Sequence, residues 1–205
     1  MIGTGVEADN AFPILHPEFD VFCIDETEVT VGQYEECVED GDCDPPRDDL
    51  PGQCPQDPPR PDDHPVGCVD YERAAQYCEW AGKRLPTEQE WEYAARGEEG
   101  RPYPWGDAPL ADTRLNWNGV VGTTMPVKSY PDGATPEGVY DMAGNVWEWT
   151  SSTWCSDYSS SPEECLPDVY VPRGGSYISA DRFVNPSYRD GDNEPDQRFG
   201  FRCAY

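Results

Sequence analysis

Nine cysteines constrain this chain more than any other feature of its sequence. They fall at positions 23, 37, 43, 54, 68, 78, 155, 165 and 203 of 205 residues, and no two stand at the Cys-x-x-Cys spacing. That excludes zinc-ribbon and thioredoxin-type arrangements. So many thiols imply disulfides, and disulfides imply an oxidising setting: a secreted, periplasmic or cell-surface protein. The count is odd, so at least one thiol is left free or pairs outside the chain. Met1 to Asn10 has neither a basic start nor a sustained apolar stretch, so an export signal, if one was used, is expected to have been removed. No window approaches the roughly 18 consecutive apolar residues of a membrane span, so no membrane insertion is expected.

The charge is lopsided. Fourteen Lys and Arg face 41 Asp and Glu, a formal net charge of -27. A surface this acidic repels phosphate backbones and anionic lipid, which argues against nucleic acid as a partner. It does not mean disorder. With Gly counted, roughly 46% of the chain is apolar, inside the globular range, and the 7 Trp, 12 Tyr and 6 Phe exceed what a disordered chain carries.

Periodicity marks three helices, all in the first half. "TVGQYEECVE" opens on a capping box of Thr30 and Gln33. "DYERAAQYCEWAG" has Asp70 at its N-cap and Gly82 just past its end, with Ala74, Tyr77, Cys78, Trp80 and Ala81 as its buried stripe. "TEQEWEYAARG" repeats the pattern with Thr87 and Glu90, an apolar face of Trp91, Ala94 and Ala95, and Gly97 as its stop. Between the first two lies a Pro- and Asp-rich excursion at about 40–65, an insertion whose candidate pins are Cys43, Cys54 and Cys68. After Gly97 the chain becomes Gly, Pro, Asn and Trp punctuation with strand-like pieces in "VWEWTSS", "VYVPRGGSYI" and "FGFRCAY". With no repeat and no linker, residues 1–205 read as one domain.

Six motifs in order carry a family resemblance: "CIDETEVTVGQY", "AGKRLPTEQEWEYAARG", "YPWGD", "GVYDMAGNVWEWTSS", "RGGSY" and "GFRC". From about Phe22 to the C-terminus the chain resembles the formylglycine-generating enzyme, or sulfatase-modifying factor, family. The resemblance implies an α+β domain of the C-type-lectin-like kind, with few helices, short antiparallel strands and much irregular loop. It also implies that Cys78 pairs with Cys203. Cys155 and Cys165, ten residues apart in a Ser-rich loop, read as a local bridge.

"YDMAGNVWEW" looks like a cation loop on its residues alone. Asp141 and Glu148 offer hard oxygens, and Gly and Asn let the chain curl so that carbonyls can face inward, as calcium requires. The alternative is a tight turn in which Glu148 caps backbone donors. Carried over from the family, the calcium ligands would be the side chains of Asp141 and Glu148 and the carbonyls of Gly144 and Val146. A second family site would begin at Asn116 and the Trp117 carbonyl, although the Asp-containing loop that completes it is shortened here. Calcium is therefore the expected structural cofactor.

Copper is not expected. Active members of the family hold copper(I) with two cysteines after the Arg-Gly-Gly-Ser motif, a pair of soft thiolates suited to that ion. Ungapped alignment places Ser179 and Val184 there, and no cysteine lies between Cys165 and Cys203. The only histidines, His16 and His64, each precede a proline, which suits packing or surface roles better than catalysis. What remains is a surface. In the family the stretch from Ser176 to Arg198 lines the substrate groove, and in retroelement-diversified members it is the variable ligand-binding face. Tyr177, Ser179, Asp181, Arg182, Phe183, Tyr188 and Asp190 are the candidate ligand contacts. The competing reading makes Phe183 and Tyr188 core, and Arg182 and Arg189 loop pins. The expectation is a monomeric, non-catalytic domain that binds a protein or small molecule on its C-terminal face. An oxidoreductase acting on a protein cysteine through a non-standard site is the alternative.

Overall fold

In the computed structural model, residues 20–50, 53–54, 60–156, 160, 162–192 and 194–205 are described; His16 lies outside them. Three α-helices form where the periodicity places them: α1 Val31–Asp40, α2 Tyr71–Trp80 and α3 Glu88–Arg96. Their caps explain the boundaries. Thr30 and Thr87 each accept from the backbone amide three residues on, and Gln33 and Glu90 reach back in reciprocal capping boxes. Asp70 accepts from the Arg73 amide, and α2 ends through Ala81 into Gly82 at φ 71°. Of the expected α2 stripe, Ala74, Tyr77 and Cys78 are buried, while Trp80 and Ala81 are half-buried.

The sheet is small and mixed. Strand β1 (Trp147–Trp154) lies between β2 (Leu166–Arg173), which is antiparallel, and the two-residue β3 (Phe199–Gly200), which is parallel. The first four residues of β1 are all buried before alternation sets in at Ser151. A strand loses its alternation where both its faces are covered. Trp149 sinks into the main core, where it stacks on Phe199 at 5.0 Å; Tyr34, Tyr77 and Phe201 complete that core from α1, α2 and the last segment. Burying such aromatics is worth about 1.5–3 kcal/mol each.

Four bridges pin the rest. Cys78–Cys203 ties α2 to the final segment and Cys155–Cys165 closes the β1–β2 connection, both as expected. Cys37–Cys43 fastens the end of α1, Cys54–Cys68 lies within the Pro-rich insertion, and Cys23 is free and exposed. The insertion is also stitched to the far end of the chain: Gln197 N–H donates to the Gln53 carbonyl, Cys68 N–H to the Asp196 carbonyl, and Arg60 Nη2 to the Gln197 carbonyl. Among the described residues no helix is long and apolar enough to cross a membrane.

Candidate functional site: a carboxylate-rich loop beside an open groove

The segment leading into β1 is curled by three left-handed residues, Asp141, Gly144 and Asn145. Gly144 is required twice over: its φ is +80°, and a Cβ there would lie 2.2 Å from the Asn116 carbonyl oxygen. That close approach lets the Asn145 N–H donate to the Asn116 carbonyl at 2.9 Å. Asn145 then acts as a hub. Its Nδ2 donates to Glu28 and to the Met125 carbonyl, and its Oδ1 accepts from Met125 N–H and Asn116 Nδ2.

The curl gathers three buried carboxylates, from Glu28, Asp141 and Glu148. Glu148 is held by Arg202, through Nε and Nη2 at 2.7 Å each, and by the Trp91 indole N–H at 2.7 Å. Asp141 accepts the Lys128 amide, while Glu28 has only neutral donors, the Asn145 side chain and the Val146 amide. Arg202 is thus the single buried cation among three acids. Burial first, then the charges of Asp141 and Glu148, push Glu28 well above the usual carboxylate range. Burial also pushes Asp141 up to about 6 against the opposing pull of the Lys128 amide and Arg202. Burial works against the Arg202 charge, but Glu148, Glu28 and Asp141 outweigh it and raise that pKa.

The expected calcium ligands sit around this loop. Asn116 is buried, and its Oδ1 has no hydrogen-bond partner, a costly state for a buried acceptor. The Trp117 carbonyl is already engaged by the Val120 amide in a turn. Among the described residues no three His, Cys, Asp or Glu side chains converge on one point as a metal cluster, so any calcium site here must draw on carbonyl and amide oxygens as well as carboxylates. An orphaned oxygen and an excess of buried negative charge both fit a bound cation. Glu28 was missed by sequence reasoning although it stands inside a motif that it singled out; Asn145 was read as a residue that lets the loop curl, and its hydrogen-bonding role was not.

Behind the groove lies a second buried network, which settles the role of one arginine. Arg189 sends Nε and Nη2 to Glu88 at 2.6 and 2.8 Å; Arg173 reaches Glu92 at 2.7 Å, and Arg96 reaches Glu92 at 2.6 Å. Arg189 is therefore a pin. Arg182 is not: it is exposed, with its guanidinium 4.4 Å from the centre of the Phe183 ring.

Residues from 178–183, 190–192 and 198–199 wall an open groove of about 390 Å³ over β1. Trp147, Ile178, Ser179, Phe183, Asp190 and Phe199 line it, along with Arg198. A smaller depression of about 270 Å³ adjoins it, sharing Asp192, Arg198 and Phe199 and adding Gln53 of the insertion, Glu194 and Asp196. Of the candidate ligand contacts, Ser179, Phe183 and Asp190 reach the groove. Tyr188 packs on Phe183 at 5.0 Å, Asp181 is exposed, and Tyr177 is buried. Ser179 Oγ accepts from the Ser176 amide, and Val184 is wholly buried against Leu115 and Ala143.

Comparison with known proteins follows the same outline. The chain is 44% identical over 168 residues to the formylglycine-generating enzyme of Streptomyces coelicolor, covering 69% of this chain and 52% of that protein. It is 38% identical over 159 residues to the inactive C-alpha-formylglycine-generating enzyme 2 of Bos taurus, covering 68% and 50% respectively. It thus spans about half the length of the curated relatives it matches. Among solved structures, PvdO from Pseudomonas aeruginosa superposes with a TM-score of 0.82 at 25% identity, over 99% of this chain and 89% of that one. Treponema denticola variable protein 1 superposes with a TM-score of 0.70 at 18% identity, over 100% and 92%, a likeness of fold. The sulfatase-modifying factor enzyme 1-like domain matches residues 2–205, and the chain belongs to that family.

Proposed function

We propose that this chain is a calcium-stabilised binding domain on the sulfatase-modifying scaffold, working outside the cytosol without the copper chemistry of the family's active members. The observation that carries this reading is the occupancy of the two positions where soft thiolates are needed. One holds the Ser179 hydroxyl, tied to Ser176, and the other the methyl groups of a fully buried Val184. Eight of the nine cysteines are in bridges, and the ninth, Cys23, is exposed and paired through its backbone with Tyr205. The residues present do not fit copper(I). A relative whose name calls it inactive accords with a scaffold kept without the chemistry.

Calcium would brace the curled loop that leads into β1. Asp141 and Glu148, with the Gly144 and Val146 carbonyls, would hold one ion, and the unpartnered Asn116 Oδ1 would offer a ligand to a second. The ion supplies the positive charge that three buried acids and one arginine lack. An occupant at a hundred times its Kd would add about 2.7 kcal/mol, or about 2–4 °C in Tm per kcal/mol for a domain of this size. Melting with calcium and with EGTA measures this; identical midpoints would remove calcium from the account. The binding reading itself is tested by incubating the protein with copper(I), oxygen and a Cys-x-Pro-x-Arg peptide. No aldehyde is expected. Turnover would overturn the reading in favour of an oxidoreductase acting on a protein cysteine.

A further inference from the structure

The groove has a chemical bias that narrows what it can hold. Its floor is aromatic: Trp147 stacks with Phe199 at 6.4 Å and meets Phe183 edge-on at 6.5 Å. Ile178, 47% exposed, forms an apolar lip. The polar wall is acidic. Asp190 and Asp192 face the groove, and Glu194 and Asp196 follow in the adjoining depression. Against these four carboxylates stand three guanidinium groups, each already engaged: Arg60, whose charge acts on Asp196, donates to the Gln197 carbonyl. Arg198 is held by Asp196, with Nε 2.7 and 3.0 Å from the two carboxylate oxygens. Arg182 lies on the Phe183 ring.

Arg182 is informative because it shows the frame accepting a cation. Its guanidinium rests on an aromatic face and acts electrostatically on Asp190, the pairing of ring and carboxylate that stabilises organic cations. Burial first, and then the charge of Asp192, raise the Asp190 pKa, so this wall gains from positive charge brought close to it. An anionic ligand would meet like charge on the same wall.

We propose that the groove binds a small organic cation, an ammonium or guanidinium nitrogen on an apolar stem. The stem lies against Trp147, Phe199 and Ile178, and the charged nitrogen points to Asp190 and Asp192. The volume of about 390 Å³ falls in the range of small-ligand sites. This rests on the binding-domain reading and specifies its ligand class.

Three probes with one stem test it: phenethylamine, 2-phenylethanol and phenylacetate, titrated calorimetrically into the calcium-loaded protein at low salt. The amine should bind about tenfold more tightly than the alcohol, and phenylacetate not at all. Replacing both acids, Asp190→Asn with Asp192→Asn, should bring amine and alcohol to within about twofold. Arg182→Ala, a surface change that leaves the fold intact, should tighten the amine severalfold by removing a competing cation from beside Asp190. Equal binding of amine and alcohol, a preference for phenylacetate, failure of all three probes to bind, or weaker amine binding by Arg182→Ala would each overturn the proposal. Aldehyde formation in the copper assay is a separate outcome: it overturns the binding-only reading whatever the charge preference of the groove.

Discussion

Two buried charge networks flank the sheet, and they are built on opposite accounts. Behind the groove, Arg96, Arg173 and Arg189 interleave with Glu88 and Glu92, so every buried carboxylate has guanidinium partners on both sides. Beneath the curled loop, Glu28, Asp141 and Glu148 share Arg202 as their one buried cation, with the charge of the half-exposed Lys128 acting on Asp141 from the surface. In the first network every buried carboxylate is paired within the chain, and guanidinium groups outnumber carboxylates by three to two. The second sets three buried carboxylates against one buried guanidinium, a shortfall that protonation of Glu28 and Asp141 relieves. Burial makes this distinction matter, because an uncompensated charge in a low-dielectric interior costs several kcal/mol.

The largest expected break comes in the compensated network. Glu92→Gln removes the carboxylate that Arg96 and Arg173 share and leaves Glu88 to Arg173 and Arg189, and should cost about 3–5 kcal/mol in denaturant unfolding. Glu148→Gln removes the direct partner of Arg202 but leaves Glu28 and Asp141 nearby, so about 2 kcal/mol is expected without calcium. If the two losses were equal, the contrast between the networks would fail.

Acid should separate them next. The folded-state pKa values of Glu28 and Asp141 lie above their unfolded values, so their stabilising protonation is complete below about pH 4 and is lost as pH rises through about 6 for Asp141. In EGTA the protein should therefore gain about 2 kcal/mol from pH 7.5 to 5. With saturating calcium, which takes the proton's place, that gain should vanish. At still lower pH the sign turns. Burial pushes Glu90 up, but hydrogen bonds from Arg84 and Thr87 outweigh it and hold the carboxyl low, so its contribution is lost as pH falls through that folded value. Smaller still is Glu28→Gln, which removes a buried charge while mismatching one neutral donor; a net change within about 1 kcal/mol is expected in EGTA. Smallest is Lys128→Ala, whose side chain pairs with Glu26 while both remain largely in water, at about 0.5 kcal/mol or less.

The parts of this fold that were legible share a property: their signals are local. Capping boxes at Thr30 and Thr87, the Asp70 N-cap and the Gly82 stop are written within a few residues of the bonds they make, and the helices formed there. The buried ionic rungs of α3 were less legible. Glu88, Glu92 and Arg96 recur every four residues on one face, a spacing normally read as solvated, and only partners from residues 173 and 189 draw that face inward. Likewise the stretch from Tyr177 to Asp190 could be read as binding surface or as core. Packing divided it, placing Arg189 as a pin, Tyr177 inside and Phe183 in the groove.

The acidic insertion shows the same limit from another side. By composition it reads as an irregular Pro- and Asp-rich excursion; in the fold, Gln53 and Arg60 bond to residue 197, and Gln53 lines the depression beside the groove. By itself, the sequence determined the family, the three helices, the oxidised cysteines and the absence of thiols where copper would need them, because each of these depends on residue identity or short-range spacing. Only the tertiary structure decided which charges are buried together, and so which network is compensated and which is left short of a cation. Those contacts join residues as much as 177 positions apart, and their energies depend on burial that no local pattern encodes.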